Sequence, residues 1–445
     1  MAEVLSIPYS KLEERLDAEY YRPEYLEIER TLDRCSLKKK TIGQLEETMI
    51  NGVEIRNYVP SGIPYLRVSD MEEVFAKLDD VKFIRENAEP SKNVELLDGD
   101  LLINRSGTLG VSVVVDEQLK GSVISSHLIR LRLKELNPYY LVAFLNCKYG
   151  RSQILRRNNG TVVPEINHQS LRQVRIPVCT EEFQRKIEDL LTRASKLRKE
   201  GNIIYKNVEQ DLYERIGIDL SALAFEVSFE TRFSELENRL DAEYYQPKYT
   251  YLLSHLTRLE TVRTLDEISK GVVSGSYLPD YVLKGTVYLR VQNIQKTEID
   301  LTDVVFVDVI RSEIPDKIRI KERDVILTRT GTTGVASVAP KDIEGAVMSQ
   351  HLTRISLKEG YDPYYVALCL NSAIGQLQAE RPLAGSMQKE LIHSAMKRIR
   401  LPILLPATQK EMAVAVKKCI EMNQESKSLI QAAKREVEHL IRSSV

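Results

Sequence analysis

Two short segments carry the side chains best suited to meet a nucleic acid. They are Asn104-Arg105-Ser106-Gly107-Thr108 and Thr328-Arg329-Thr330-Gly331-Thr332. Each follows an apolar run, Leu101–Ile103 in one case and Val325–Leu327 in the other. An arginine fork fits a guanine edge or a phosphate, Ser and Thr hydroxyls serve either, and glycine lets backbone approach closely. The turn is expected to expose its arginine. A solvated hairpin would look the same in one copy; two copies favour function. A second candidate is Asn51–Ser61 (NGVEIRNYVPS), with Arg56, Asn57 and Tyr58, answered by Gly271–Lys284 (GVVSGSYLPDYVLK), with Ser276 and Tyr277. These two are polar and glycine-bearing, yet differ almost completely. Unlike loops on a shared scaffold are what two modules reading different targets would show, and also what unconstrained loops would show. A third candidate is the turn Arg156–Thr161, with Asn158 and Asn159, answered by Ala384–Met387. Arg67 and Arg290, in the duplicated Tyr-Leu-Arg-Val strand, complete the set.

Catalytic patterns fare worse. Asn137-Pro138-Tyr139-Tyr140 and Asp362-Pro363-Tyr364-Tyr365 resemble the Asp/Asn-Pro-Pro-Tyr motif of amino-methyltransferases only superficially, for the second proline is missing. Each opens an apolar helix instead, with proline in its first turn. The Gly107–Gly110 and Gly331–Gly334 stretches lack the Lys-Ser/Thr of a phosphate-binding P-loop. The 6 histidines show no His-Glu-x-x-His and no metal spacing. His127 and His351, beside Ser125/Ser126 and Ser349, read better as polar residues packing at a strand start than as a nucleophile's base. No catalytic set emerges, so recognition is the expectation. No metal or cofactor site is expected on the chain.

The elements that position these residues come in duplicate. Arg15–Tyr21 (RLDAEYY) recurs as Arg239–Tyr245, and every later match keeps an offset between 223 and 225. Tyr65–Val68 recurs as Tyr288–Val291, Asp100–Gly110 as Asp324–Gly334, and Ser125–Leu133 as Ser349–Leu357. Asn137–Gly150 recurs as Asp362–Gly375, and Leu171–Val178 as Met396–Ile403. A period this long is a duplicated domain, not a solenoid repeat. Within the first copy Ser10–Leu32 looks helical. Short β-rich runs follow at Pro64–Val68, Val81–Ile84, Leu101–Asn104, Val111–Val115 and Ile129–Leu133. A helix is expected from Asn137 to about Cys147, then a last strand at Val174–Val178.

Each copy ends in a heptad-patterned tail. After Thr180 the four-three seam runs Phe183, Ile187, Leu190, Ala194, Leu197, Gly201, Ile204, Val208. After Pro406 it runs Met412, Val416, Cys419, Asn423, Ser426, Ile430, Ala433, Val437, Leu440. Helices of about 30–35 residues, roughly 45–50 Å long, are expected to pair antiparallel as a coiled coil. The fold class is therefore α+β, with two tandem α/β domains joined by two long helices. The boundaries are 1–179 and 217–405 for the domains, 180–216 and 406–445 for the helices.

Composition sets the outer limits. With 445 residues, 43% hydrophobic and 29% charged, the chain has ample material for two cores and a polar surface. Its 63 Lys+Arg against 64 Asp+Glu argue against a free-standing, non-specific nucleic-acid binder, which would be visibly basic. The start lacks a basic segment followed by an apolar one, no long apolar run follows, and the 5 scattered cysteines read as reduced thiols. A cytoplasmic protein is expected.

The order of these motifs resembles a known family. A variable loop precedes Pro64–Asp70 (PYLRVSD), then Asp100–Gly110 (DLLINRSGTLG), Ser125–Leu128, Asn137–Leu141 and a long helix opening near Glu182-Phe183-Gln184, all of it twice. This is similar to the specificity (S) subunit of Type I restriction-modification systems, over essentially the full chain. The resemblance implies a non-catalytic, sequence-specific DNA-binding subunit. Each repeat would be a target recognition domain reading one half of a bipartite double-stranded site. The helices would space the domains and dock two DNA methyltransferase subunits, with nuclease-translocase subunits as further partners. Adenine methylation from S-adenosylmethionine would then be the partners' chemistry. A protein-binding scaffold, or a methyltransferase or nuclease with unfamiliar motifs, are the competing readings.

Overall fold

The computed structural model describes residues 7, 9, 12–13, 15–78, 81–85, 95–159, 163–237, 239–309, 314–383 and 390–445. The chain forms two compact units, one of Met1–Arg198 with Gln424–Val445, the other of Lys199–Asn423.

In the first unit α1 spans Pro23–Arg34. It starts later than the amphipathic pattern from Ser10 suggests, because Arg22 precedes a proline. A pre-proline residue is steered out of the helical region, and Arg22 sits at ψ 140°. Just before it Ala18–Tyr21 makes a 3-10 turn, with both tyrosines buried. Then come β1 (Lys39–Thr41), α2 (Ile42–Leu45) and β2 (Glu46–Asn51), the short helix closed by a Thr41–Gln44 capping box. Next are β3 (Ile63–Leu66), β4 (Lys82–Ile84), β5 (Leu101–Asn104), β6 (Ser112–Val114), β7 (Val123–Ile124) and β8 (Leu128–Leu133). Helices α3 (Pro138–Asn146), α4 (Lys148–Arg156) and α5 (His168–Arg172) follow, then β9 (Arg175–Pro177) and the long α6 (Glu181–Ile216).

Strands order as β2-β8-β5-β6 in one antiparallel sheet and β4-β3-β7 in a second, while β1 pairs with β9. Strand β5 is buried on both faces, and strand periodicity divides it between two cores. Leu101 and Ile103 join the helical core of α3 and α6, whereas Leu102 joins an inter-sheet core with Leu66, Val113 and Ile124. The main sheet is therefore sandwiched between two cores. Asn137 caps α3 through its side-chain oxygen, which accepts from Tyr139 N at 2.9 Å, with Pro138 in the first turn.

The second unit repeats the plan with α7 (Pro247–Thr257), β10 (Val262–Thr264), α8 (Leu265–Ile268) and β11 (Ser269–Ser274). It continues through β12 (Tyr281–Val282), β13 (Thr286–Leu289), β14 (Val305–Val307), β15 (Val325–Thr328), β16 (Ala336–Val338), β17 (Val347–Met348) and β18 (Leu352–Leu357). It closes with α9 (Pro363–Asn371), α10 (Ala373–Glu380), α11 (His393–Lys397), β19 (Arg400–Pro402) and α12 (Pro406–Ser443). The main sheet is β11-β18-β15-β16, and the second sheet gains β12 at its edge. Val325 and Leu327 face the helical core and Ile326 the inter-sheet core, as in the first unit.

Inside the first unit the early half of α6 and the late half of α12 run antiparallel. Lys186 pairs with Glu436 at 2.8 Å, Arg193 with Glu425 at 2.5 Å, and Ser426 Oγ donates to Ala194 O at 2.8 Å. Inside the second unit Gly201 lets the backbones close up: a Cβ there would stand 3.2 Å from Asn423 Oδ1 and 3.5 Å from Cys419 O. The seam of α12 runs through the expected positions to Val437, then through Ile441 rather than Leu440. In α6 it is Ile187, Leu191, Ala194, Gly201, Tyr205 and Leu212, one residue later than expected at Leu190 and Ile204. The shift has a cause: each helix half must cover its own domain as well as its partner helix, which widens and turns the apolar stripe. Ile187, Leu191 and Ala194 share one core with both Phe144 and Val437.

Candidate nucleic-acid interface

Three segments separated in sequence meet at one end of the first unit's main sheet. The loop leaving β5 bends at Gly107 and Gly110, whose φ of 69° and 75° suit glycine. Its main chain is clamped on both sides. Arg105 N donates to His127 O at 3.0 Å, Ile166 N donates to Arg105 O at 2.8 Å, and Gly107 N donates to Pro164 O at 3.1 Å. This fastens the loop to the turn after α4, where Glu165 N donates to Asn158 Oδ1 at 2.8 Å and Asn159 N donates to Glu165 O at 2.7 Å. His168, opening α5, meets Asn51 Oδ1 at 2.9 Å and so reaches the end of β2, where the divergent loop begins. Asn51, Arg105, Asn158, Asn159 and Glu165 thus line one polar surface.

The second unit builds the same surface. Arg329 N donates to His351 O at 2.9 Å, and Leu391 N donates to Arg329 O at 2.8 Å. Arg329 Nη2 meets Glu390 at 2.6 Å while Nη1 donates to Ser274 Oγ at 2.6 Å and to Gln350 O at 3.1 Å. Ser274 Oγ also meets His393 Nε2 at 2.6 Å, as Asn51 meets His168. A continuous chain runs Glu390, Arg329, Ser274, His393.

The expectation of an exposed loop arginine needs correcting. The side chains of Arg105 and Arg329 are only 23% and 15% exposed, each ion-paired to a glutamate, Glu165 and Glu390 respectively. The other candidate arginines are paired too: Arg56 with Glu54 at 2.5 Å, Arg67 with Asp70 at 2.9 Å, and Arg290 with Asp303 at 3.3 Å. Each of these arginines therefore has its charge compensated by a neighbouring carboxylate.

Asn104 and Thr328 also need correcting. Both are fully buried, because the last strand residue turns its side chain inward to hold the loop. Asn104 Nδ2 donates to Thr108 O at 3.3 Å, and Thr328 Oγ1 donates to Thr332 O. They are braces. Ser106 and Thr330 stand half-exposed, and Thr108 and Thr332 exposed, on the outer side. His127 is exposed rather than packed, with Nδ1 at 2.8 Å from Ser106 Oγ; the equivalent His351 instead meets Gln350.

The divergent loops share a hidden anchor. Tyr65 Oη donates to Val53 O at 2.7 Å, and Tyr288 Oη donates to Ser276 O at 2.8 Å. Gly52 and Gly275 permit a close backbone crossing, since a Cβ at either would lie 2.1 Å from a carbonyl oxygen. Tyr58 rests against Tyr65 with ring centres 5.8 Å apart, and Tyr281 against Tyr288 at 6.0 Å. Tyr281, not Tyr277, is thus the counterpart of Tyr58. Arg56, Asn57, Tyr58 and Tyr277 are exposed, and Ser276 is half-buried. In the third candidate Arg156 and Arg157 are buried; Gly160, Thr161 and Ala384–Met387 lie outside the described residues.

The duplicated Arg-Leu-Asp-Ala-Glu-Tyr-Tyr segment holds this turn from behind. Arg15 and Arg156 flank the Tyr20 ring at 5.0 and 3.9 Å, and Arg15 donates to Asn158 O at 2.8 Å. Arg239 and Arg381 flank Tyr244 at 4.4 and 4.2 Å, and Arg239 donates to Pro382 O at 3.2 Å.

Sequence reasoning missed Glu165, Glu390, His168, His393, Ser274 and Tyr281. The repeat offset could have found the first four, for Glu165 maps to Glu390 and His168 to His393 at 225 residues. Burial holds both histidines below their ordinary pKa, aided by Arg172 and Arg105 around His168 and by Arg329 and Lys397 around His393. Burial pushes the Cys147 and Cys369 thiols up to about 12, so neither is an activated nucleophile. Among the described residues no group of three or more His, Cys, Asp or Glu could hold a metal ion, and no helix is long and apolar enough to cross a membrane.

A family model described as the Type I restriction modification DNA specificity domain matches residues 36–209 and 311–435. Solved structures similar to this chain include a Type I restriction-modification S subunit from M. genitalium (14% identity, TM-score 0.42, 92% of this chain and 96% of that one). Another is the HsdS subunit from Thermoanaerobacter tengcongensis (12% identity, TM-score 0.31, 92% of this chain and 97% of that one). A search of curated proteins found no match. With its two matched regions spanning more than half of the chain, the protein belongs to the Type I restriction-modification DNA specificity family, a family of non-catalytic subunits.

Proposed function

We propose that each unit reads one half of a bipartite double-stranded DNA site, through the surface formed by Arg105 and its neighbours in one unit and Arg329 and its neighbours in the other. The observation that carries this reading is the duplication itself. The same arginine–glutamate–histidine skeleton stands in both units, bordered by loops that differ in nearly every residue. A kept skeleton with unlike borders suits two readers of unlike sequences. The long helices, on this reading, set the gap between half-sites and dock two DNA methyltransferase subunits, with nuclease-translocase subunits joining for cleavage. The chain itself takes no cofactor; S-adenosylmethionine belongs to the partners, and the assembly works in the cytoplasm beside DNA.

The test uses methylome sequencing to identify the site, then binding by the assembled complex. Arg105→Ala and Arg329→Ala should each weaken recognition of one half-site only. The expected cost is about 1–3 kcal/mol of base discrimination, the contribution of a bidentate arginine–guanine contact. Uniform weakening across all sequences would recast these arginines as phosphate ligands. Unchanged binding by both variants would reject this surface as the reader.

A further inference from the structure

We propose that Glu165 and Glu390 are specificity-determining residues, which keep Arg105 and Arg329 for base edges by making them poor phosphate ligands. This rests on the reading of those arginines as DNA contacts. Three observations support it. The carboxylate recurs at the same repeat position in both units although its flanks differ, Pro164-Glu165-Ile166 against Lys389-Glu390-Leu391. The pairing is built by the main chain: Ile166 N donates to Arg105 O and Leu391 N donates to Arg329 O, each at 2.8 Å, so each glutamate is delivered to its arginine. Third, the carboxylates are the more open partners, 46% and 49% exposed against 23% and 15% for the arginines.

An approaching duplex therefore meets the anion first. A phosphate would bring a second negative charge onto an arginine already neutralised, and like charges at contact distance repel. A base edge brings no net charge. Guanine O6 and N7 can accept from the guanidinium, while the amino group of cytosine or adenine can donate to the glutamate beside it. The pair thus offers a donor and an acceptor side by side, a pattern that the phosphate backbone cannot match. The carboxylate is the half-exposed partner, so it can turn toward solvent at small cost and leave the guanidinium edge to a base.

Removing the charge while keeping the shape tests the idea. The full-length chain in its assembled complex, carrying Glu165→Gln, Glu390→Gln or both, is titrated with a duplex bearing the methylome-defined site and with a scrambled duplex. Each released arginine should make the slope of log affinity against log salt on the scrambled duplex more negative by about 0.9, about 1.8 for the double variant. Discrimination at the matching half-site should fall about fivefold to tenfold, the low end of one base contact. Glu165→Asp and Glu390→Asp keep the charge and should keep the low non-specific affinity.

An unchanged salt slope on scrambled DNA in the glutamine variants overturns the proposal, as does equal weakening on both duplexes. Aspartate variants that behave like the glutamine ones overturn it too, since charge would then not be the cause. Arg105→Ala and Arg329→Ala, run alongside, separate the two claims. If they matter and the glutamine variants change nothing, only the glutamate role fails. If they too change nothing, the DNA-reading surface itself is wrong.

Discussion

If the two long helices set the gap between half-sites, lengthening both by one heptad should move the gap by a calculable amount. The insertion points follow from the seam. In α6 buried positions fall at Ala194 and Gly201, and in α12 at Cys419 and Ser426. Seven residues added between Arg198 and Lys199, and seven between Asn423 and Gln424, keep this spacing on both sides of each insertion. These points are also where each helix passes from one unit to the other, so neither reading surface is touched. The added length is about 10 Å at 1.5 Å per residue. Duplex DNA rises about 3.4 Å per base pair along a strand, so the favoured gap should grow by about three base pairs. Rotation does not follow so neatly. One heptad turns a helix face by only about 20°, whereas three base pairs turn the duplex by roughly 100° at about 10.5 base pairs per turn. The variant should therefore prefer the longer gap yet bind it more weakly than the parent binds its own. Methylome sequencing of cells carrying the variant complex reads out gap and half-sites together. A folded, active variant that still methylates the parental gap would refute the spacer.

Two further predictions concern the scaffold. Asn146 and Asn371 are buried and bracket the backbone of β6 and β16: Asn146 Nδ2 donates to Ser112 O at 2.8 Å, and Asn371 Oδ1 accepts from Ala336 N at 2.9 Å. Asn146→Ala and Asn371→Ala strand buried peptide groups and should each destabilise by about 2–4 kcal/mol in denaturant unfolding, while a loss under about 0.5 kcal/mol would contradict the bracing role. His168 and His393 have lowered folded-state pKa values, so both are held neutral in the native chain and protonate more readily when unfolded. Their contribution is complete above the unfolded value near 6.5 and is lost as pH falls toward the lower folded value, so His168→Gln and His393→Gln should flatten the fall in melting temperature between about pH 7.5 and 5.5. An equally steep fall in both variants would place the acid sensitivity elsewhere.

What the sequence discloses is what repeats or alternates. The offset of 223 to 225 announces two modules, and four-three spacing announces the helices. Leu101–Asn104 is legible as a strand because it is short, apolar and bounded by turn residues. What stays hidden is pairing across long stretches of chain. Nothing near Arg105 says that Glu165 will neutralise it, since the strand β8 and the helices α3 and α4 intervene before the chain returns. Nor does local pattern show that Asn104 turns inward while Ser106 turns out, which depends on where the strand ends against the core. The starting point of α1 is legible as well, since Pro23 marks it more firmly than amphipathic spacing does.

The two repeats offer a comparison within one chain that shows what the polar surface keeps. Arg105 and Arg329, Glu165 and Glu390, His168 and His393, and the anchoring Tyr65 and Tyr288 are the same residue types. The residues that touch this skeleton are exchanged: Asn51 for Ser274, Ser106 for Thr330, Asn104 for Thr328. Each exchange swaps one small polar side chain for another, so the arginine–glutamate pair and the histidine contact form in both units, while the link from arginine to the Asn51 or Ser274 position is made by Arg329 to Ser274. The exposed loops beyond change more freely still, because much of what fixes them is main chain: the Tyr65 and Tyr288 hydroxyls hold backbone carbonyls, glycines make the crossings, Val59 N donates to Phe83 O, and Tyr281–Val282 pairs with β14. If each unit reads DNA as proposed, such a frame can meet new base edges without rebuilding its core. That separates the part of the surface that holds the arginine in place from the part that chooses its target.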